Sequence, residues 1–262
     1  MESLFRFKPH RANCQNHLLR ALPTEDLDWL LPQLERVPLK RRGIVQFSNS
    51  SMHHVYFVEQ GLISVLADTA PGKSVETRMI GPEGFIGVRV VLGKRESCHR
   101  RMVQVSGSAL RIEAERFAQV LQANRAIQQV MLQYVHSIII QTSQLNACNA
   151  HHNVPERLTR WLLMAQDRCG ADTLPITHKM ISRLIGVRRA TIGDCMSQME
   201  QKGMLERSRS LITILDREKL LSSACKCYTL ISAANTTFNA STTGQSPKVS
   251  AVEPQTQSEQ VR

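Results

Sequence analysis

The chain has 262 residues, 42% of them hydrophobic, and carries a formal net charge of +11 at pH 7. This length allows one or two domains with their own cores, and we expect two. The positive charge favours a polyanionic partner, nucleic acid rather than a membrane surface, because each Lys or Arg placed near a phosphate releases a counterion. No stretch approaches the ~20 apolar residues that cross a bilayer, and the N-terminus lacks a secretory signal, so we expect a cytoplasmic protein.

The cysteines and histidines do not predict a metal site. The seven cysteines lack CxxC pairs, which suits reduced thiols. Three short motifs invite a metal interpretation: His53-His54, His151-His152 and Cys225-Lys226-Cys227. Adjacent loop histidines are mostly unliganded, and the C-x-C lacks a second pair at zinc spacing, so we predict neither metal nor cofactor. A nucleophile elbow, a P-loop, a dinucleotide fingerprint and paired carboxylates are all missing, and we expect no enzyme.

The N-terminal half shows short β-rich runs separated by turn residues. Residues 22–34 first predict a short helix capped by Thr24. The β-rich runs then cover residues 43–47, 54–59, 62–67, 76–80, 102–105 and 109–112. Because no helices intervene, we predict an antiparallel roll or barrel within residues 21–114, preceded by an N-terminal extension over residues 1–20.

Residues 115–149 change to a helical period and predict one long helix. Its apolar stripe consists of Ile127, Met131, Tyr134, Ile138 and Leu145. Further apolar residues flank the stripe at Val130, Val135 and Ile139. Such a helix must bury its apolar surface, and we favour a coiled-coil-like seam with a second copy, which makes a homodimer. Packing of the stripe on the chain's own roll is the alternative, and the two can hold on different faces.

Residues 150–222 predict a winged helix-turn-helix. Thr177 can cap a first helix that begins at His178, Gly186 allows a tight turn, and a second helix begins near Arg188. Residues 205–215 alternate like a β-wing. Residues 223–262, rich in Ser, Thr, Asn, Gln and Pro, predict a disordered tail. The whole chain is therefore expected to be of the α+β class.

The second helix of this motif is expected to enter the major groove of double-stranded DNA by its N-terminal end. Arg189 matches guanine O6 and N7, and Arg188 either holds a phosphate or takes part in the turn. The predicted DNA-binding residues are Thr177, His178, Arg188, Arg189, Ala190, Thr191, Asp194 and, on the wing, Arg207 and Arg209. An ordinary helical hairpin with solvated arginines is the alternative.

Three motifs and the order of parts resemble the Crp/Fnr family of bacterial regulators over about residues 20–220. The motifs are VYFVEQG at 55–61, GFIG at 84–87 and IGVRRATI at 185–192. The resemblance implies a cyclic-nucleotide-binding-like roll, a long dimerisation helix and a transcription regulator that binds an inverted repeat, with RNA polymerase as a further partner. It also places Arg189 on the family's base-reading arginine and Thr191 on a phosphate-contacting threonine.

The chain departs from cyclic-nucleotide-binding members at the ligand pairs that resemblance implies. Val88 follows Gly87 where those members have Glu, and Ser97-Cys98 replaces an Arg-Ser pair. We therefore expect DNA binding without cyclic AMP, and the effector, if any, stays unknown. The effector-pocket candidates are Gly87, Val88, Ser97, Cys98, His99 and Arg100. The basic residues at and next to these positions, His99, Arg100 and Arg101, either hold another anion or are simply solvated.

Two further departures bear on function. Cys14 is the single cysteine before residue 98, and one thiol cannot hold a four-cysteine iron–sulfur cluster. Ala190 and Asp194 replace a Glu and an Arg of the family's recognition helix, so the target site should differ. A ligand-sensing module that acts on a protein partner remains the alternative function.

Overall fold

The structure is a computed structural model that describes residues 9–241. The strands are β1 (Glu35–Leu39), β2 (Ile44–Gln46), β3 (Ser50–Ser51), β4 (His54–Ala70), β5 (Lys73–Ile80), β6 (Phe85–Ile86), β7 (Glu96–Ser97), β8 (Arg100–Glu113), β9 (Thr173–Leu174), β10 (Leu205–Arg207) and β11 (Ile212–Ile214). The helices are α1 (His17–Arg20), α2 (Thr24–Leu30), α3 (Val88–Val91), α4 (Ala114–Ala123), α5 (Arg125–His151), α6 (Val154–Cys169), α7 (His178–Ile185), α8 (Arg189–Gln201), α9 (Arg217–Ser222) and α10 (Lys226–Ser241). Among the described residues, no helix is both long and apolar enough to span a membrane.

An antiparallel roll forms the N-terminal domain, as the spacing of the β-rich runs predicts. Strands β4 and β8 pair along their length, and β1 and β5 flank them in the order β1-β8-β4-β5. Predicted runs 54–59 and 62–67 are one strand, β4, because its irregular register around Gly61 lets it bend rather than end. Gly61 has a φ of 96°, which only glycine adopts readily.

Aromatic rings fill the centre of the roll. Phe57 lies 5.4 Å from Phe85 and 5.6 Å from Phe117, between ring centroids. Tyr134 of α5 lies 5.2 Å from Phe85 and is buried. The first half of α5 is thereby part of the core of the roll, because rings at these separations pack in offset or edge-to-face contact.

The first described residues belong to the roll and do not extend away from it. Asn16 is fully buried, and its Nδ2 donates to the carbonyl oxygens of Val58 at 2.7 Å and Gly84 at 2.9 Å. The predicted cap at Thr24 is wrong, because the Pro23 carbonyl already accepts a bond from Leu27 N–H and Thr24 is the first helical residue.

The long helical region is two helices instead of one. Asn124 separates α4 from α5, and its side chain caps α5 by accepting a bond from Ile127 N–H at 3.0 Å. Asparagine is a favoured N-cap residue, since its short amide competes with the helical backbone.

The winged helix-turn-helix consists of α6, α7 and α8 with a three-stranded sheet in the order β10-β11-β9. Two local predictions are confirmed. Thr177 caps α7, its Oγ1 accepting a bond from Met180 N–H at 3.2 Å, and Gly186 ends α7 with a φ of 74°. The second helix begins at Arg189, one residue after the predicted start.

The predicted disorder of residues 223–262 is wrong for α10, and residues 242–262 lie outside the described part. Tyr228 and Ile231 of α10 are buried, and the Tyr228 hydroxyl donates to Asp167 Oδ2 at 2.8 Å. The overall composition of this segment does not predict a helix, because its apolar residues are few. Those residues, including Cys227 and Ala234, nevertheless recur at helical spacing and share one face.

The roll and the DNA-binding domain share one hydrophobic cluster. Leu62, Leu66 and Met79 of the roll belong to the same cluster as Trp161 of α6. At the turn between α7 and α8, a Cβ on Gly186 would lie 3.0 Å from Val75 Cγ1. The domains are therefore docked through apolar contacts as well as through α5.

Candidate nucleic-acid interface

The N-terminal end of α8 presents a basic, exposed surface. Arg188, which directly precedes α8, is exposed, as are Arg189 and Ala190, while Thr191 is half-buried. The first turn of α8 contains no acidic residue, and Asp194 lies exposed one turn further along. Free N–H groups and the positive end of the helix dipole add to the two guanidinium charges, so this end suits a phosphate backbone.

The opposite side of α8 is buried against the domain core. Ile192, Met196 and Met199 are buried, as their spacing predicts. They fix the rotation of the helix, and the same rotation leaves Arg188 and Arg189 facing outward.

His178 lies at the start of α7, near both the wing and the recognition helix. Burial lowers the pKa of His178, and the positive charges of Arg207 and Arg189 lower it further. The His178 imidazole is therefore neutral at pH 7, so one ring nitrogen can donate a hydrogen bond and the other can accept one, but the ring adds no charge.

Arg207 joins the wing to the recognition helix. Its guanidinium donates to Ser197 Oγ at 3.0 Å and forms an ion pair with Glu200. The backbone N–H of Arg207 donates to Glu200 Oε1 at 2.8 Å. The hydrogen bond from Arg207 holds the pKa of Glu200 below its usual value. Sequence reasoning missed this pair because the two residues are joined across the turn after α8. Arg209, by contrast, is exposed at the tip of the wing.

The effector-pocket candidates lie around α3 and the start of β8. Gly87 precedes α3 with a φ of 154°, and a Cβ there would lie 2.6 Å from Val55 Cγ1. Val88 begins α3. Ser97 is buried, and its Oγ donates to the His99 carbonyl at 3.0 Å, while the exposed Cys98 Sγ accepts from an Arg89 N–H at 3.1 Å.

Two buried arginines face each other across β4. Arg78 and Arg101 both pair with Val65, so their side chains share one face of the sheet. Burial and the charges of Arg78 and Arg89 lower the pKa of Arg101 to about 10. Neither arginine forms an ion pair with a carboxylate of the described residues. Chemically, this pair suits an anion.

Arg100 lies apart from this pair, since neighbouring residues of a strand alternate between faces. Its guanidinium lies 3.8 Å from Asp68 Oδ1 and 3.3 Å from Ser74 Oγ. Sequence reasoning selected Arg100 as an effector candidate and missed Arg78, which is distant along the chain.

The predicted dimerisation stripe needs correction. Ile127, Met131 and Tyr134 are buried in the roll of their own chain, Ile138 packs against the same cluster, and Leu145 belongs to the cluster shared with the DNA-binding domain. These side chains are used within the chain because the roll closes over this face of α5. Other apolar residues of α5 stay exposed: Leu132 by 44%, Ile139 by 60% and Ile140 by 40%.

Comparison with known protein families agrees with this architecture. The profile of the cyclic nucleotide-binding domain matches residues 36–124, and that of the Crp-like helix-turn-helix domain matches residues 156–223. The chain belongs to the Crp/Fnr family. A Crp/Fnr-type protein is a transcription regulator, and its Crp-like helix-turn-helix implies that it binds DNA.

Individual relatives of this Crp/Fnr regulator are distant. The global nitrogen regulator of Nostoc sp. (strain PCC 7120) is 22% identical over 184 residues, which cover 67% of this chain and 82% of that protein. The c-di-GMP responsive global regulator CLP of Xanthomonas campestris superposes with a TM-score of 0.61 at 17% identity, covering 74% of this chain and all of CLP (100%). FixK2 of Bradyrhizobium japonicum superposes with a TM-score of 0.62 at 12% identity, and the match covers 73% of this chain and 98% of FixK2. These two structures share the fold.

Proposed function

We propose that this regulator binds an inverted-repeat DNA site as a homodimer and does so without cyclic AMP. The observation that carries the proposal is the exposed basic N-terminal end of α8, with Arg188 and Arg189 facing outward from a buried helix face. A recognition helix enters the major groove by this end. RNA polymerase is the further partner expected of a transcription regulator.

Each residue of this end has a distinct task in the proposal. Arg189 reads a guanine, because its planar guanidinium matches O6 and N7 together. Arg188 and the half-buried Thr191 contact phosphates, which sets the position of the helix without reading sequence. Arg207 supports the helix from the wing through Glu200, and Arg209 reaches the DNA backbone from the wing tip.

The exposed apolar face of α5 supports the homodimer. Leu132 and Ile139 are seven residues apart, so they lie on one stripe, and each is more than two fifths exposed. A stripe of this kind is stabilised by burial against an identical stripe. A twofold dimer presents its two recognition helices to the two halves of a palindromic site.

The roll supports binding without cyclic AMP. Val88 follows Gly87 and offers no acceptor for ribose hydroxyls. Ser97 Oγ is already engaged by the Arg101 guanidinium and the His99 carbonyl. Both positions at which cyclic-nucleotide-binding members hold their ligand are thus occupied by groups unsuited to it.

The test is selection of bound duplexes from a random DNA library by the full chain, with and without cyclic AMP at fixed salt. We expect the same inverted repeat to be enriched in both arms. Arg189→Ala should weaken binding to that repeat by about 10–100-fold, since one bidentate base contact is worth ~1–3 kcal/mol. Arg125→Ala is the matched control, because Arg125 is the exposed first residue of α5.

Enrichment only with cyclic AMP would overturn the nucleotide-independent part of the proposal. An equal loss of affinity for Arg189→Ala and Arg125→Ala would show that Arg189 contributes only its positive charge and does not read a base. If no motif is enriched in either arm, the protein-partner function takes precedence.

The pair Arg78 and Arg101 favours a second function, sensing of a small acidic ligand in the roll. Their side chains share a buried face and lack a carboxylate partner among the described residues. Calorimetric titration with cyclic di-GMP, the compound in the name of the CLP structure, tests it. Binding that weakens at least about tenfold in Arg101→Gln but not in Arg100→Gln would support it, since a charge-assisted hydrogen bond contributes ~1.5–3 kcal/mol. Equal affinities of the two variants, or no heat of binding, would count against it.

A further inference from the structure

Three cysteines and one histidine meet where α5 joins the DNA-binding domain. The side chains of Cys148, His152, Cys225 and Cys227 each offer one ligand atom, and all four atoms lie within 4.8 Å of one another. This group is called the thiol cluster below. We propose that the thiol cluster binds one Zn²⁺ ion.

The four residues come from two parts of the chain that sequence reasoning treats separately. Cys148 and His152 are four residues apart at the end of α5, so their side chains lie on one face, and the His152 N–H donates to the Cys148 carbonyl at 3.0 Å. Cys225 precedes α10 and Cys227 is its second residue. The packing of α10 against α5 therefore supplies the second pair that the C-x-C motif lacks in the sequence.

The distances fit tetrahedral coordination. Cys148 Sγ lies 3.7 Å from Cys225 Sγ, and Cys227 Sγ lies 3.5 Å from His152 Nδ1. Zinc bonds of ~2.3 Å to sulfur and ~2.0–2.1 Å to nitrogen give tetrahedral edges of about 3.8 Å between two sulfurs and about 3.6 Å between sulfur and nitrogen. Both separations agree with one central ion bound by Cys₃His, a common ligand set of structural zinc sites.

The three thiols of the cluster lie together away from solvent. Cys148, Cys225 and Cys227 are exposed by 0%, 7% and 3%. A bound Zn²⁺ deprotonates its thiol ligands and replaces their protons.

Donors outside the cluster are arranged to stabilise the resulting charge. Arg160 Nε donates to Cys148 Sγ at 3.2 Å and Gln144 Nε2 donates to Cys227 Sγ at 3.0 Å. Zinc with three thiolates and a neutral imidazole carries one negative charge, which the guanidinium of the buried Arg160 balances. Glu76 also interacts electrostatically with Arg160. Burial raises the pKa of the Glu76 carboxyl, so this carboxyl competes less with the cluster for the charge of Arg160.

A disulfide between Cys148 and Cys225 is the competing chemistry, because their sulfurs are close enough to react after a small movement. That bond requires an oxidant and leaves Cys227 and His152 without a role. Zinc uses all four groups and needs reduced thiols, and it would fix the end of α5 to the start of α10.

The experiment measures zinc in untagged, reduced, full-length protein by elemental mass spectrometry, followed by cobalt substitution. We expect one zinc per chain, and a cobalt form with the visible absorption of a tetrahedral thiolate site. His152→Ala should weaken zinc binding by more than about 100-fold in a chelator competition, since loss of an outer partner alone costs about 10–100-fold. His151→Ala, which changes the neighbouring exposed histidine, should bind zinc as the unaltered protein does.

A second measurement on the unaltered chain does not depend on the folding of a variant. Zinc should slow the alkylation of Cys148, Cys225 and Cys227 beyond the slowing that burial alone gives, so a chelator should speed their reaction and leave the rate of the exposed Cys98 unchanged. The proposal is overturned if the chain holds no zinc and cobalt gives no thiolate absorption. It is equally overturned if the protein purifies with iron or with a Cys148–Cys225 disulfide that resists zinc loading.

Discussion

Glu76 lies at the contact between the roll and the DNA-binding domain, and donors from both hold its carboxylate. Ser64 Oγ donates to Oε2, and Trp161 Nε1 donates to Oε1 at 2.7 Å. Burial raises the pKa of Glu76, and it outweighs the hydrogen bonds and the charges of Arg160 and Arg168, which lower it. The proton is therefore bound more tightly in the folded protein than in the unfolded chain.

This shift predicts a pH-dependent stability with a definite sign. A carboxyl whose pKa is raised on folding contributes stability that is complete below its unfolded pKa and is lost as pH rises through the folded pKa. Glu76→Gln cannot ionise, so it should raise the thermal unfolding midpoint relative to the unaltered protein at pH 8 and change it less at pH 5. We expect a few degrees, because ~1 kcal/mol moves the midpoint by about 2–4 °C at this size.

Calorimetry of both proteins at the two pH values checks this prediction, and Glu206→Gln, an exposed carboxylate of the wing, is the control. A difference between unaltered protein and Glu76→Gln that is the same at pH 5 and pH 8 would show that Glu76 does not change its protonation on folding.

A residue's role can be predicted from the sequence when the residues it interacts with are its neighbours along the chain. Thr177 and Gly186 are readable from the sequence, because a cap and a left-handed turn involve only neighbouring residues. The Arg207–Glu200 pair and the Arg78–Arg101 face are not, because each joins separate elements whose register the sequence does not specify.

At the scale of elements, α5 has two faces with different partners. One face, with Ile127 and Met131, is buried in the roll, and another, with Leu132 and Ile139, is exposed. The helical period predicts apolar stripes correctly but not which of them the chain covers itself. That assignment depends on the roll, whose long-range pairing β4–β8 is set by the whole domain.

The exposed face predicts how the homodimer responds to substitution. Ile139→Glu places an unpaired charge in the seam, which costs about 3 kcal/mol or more and weakens self-association by at least about 100-fold. Gln122→Glu adds the same charge at an exposed position of α4, outside α5, and should leave association unchanged. Sedimentation velocity over a concentration series measures both. Equal dimer dissociation constants in the two variants would show that α5 does not form the interface.

At the scale of the molecule, the order of parts is well predicted: roll, long helix, winged helix-turn-helix. Each part has a local signature, in strand spacing, helical period or turn chemistry. Composition failed at α10, because a helix with few apolar residues is stabilised by what it packs against, here α5 and α6. The thiol cluster depends on that packing and was missed for the same reason.

The cluster formed by Leu62, Leu66, Met79 and Trp161 makes separation of the two domains a distinct equilibrium with its own free energy. Undocking would expose these side chains and break the bond between Trp161 and Glu76. A ligand shifts such an equilibrium only by the difference between its affinities for the docked and undocked forms. Any ligand that moves the recognition helix away from the roll must therefore bind the undocked form more tightly, by enough to offset the free energy of undocking. Substitutions that shorten side chains of the cluster would lower that free energy for every such ligand.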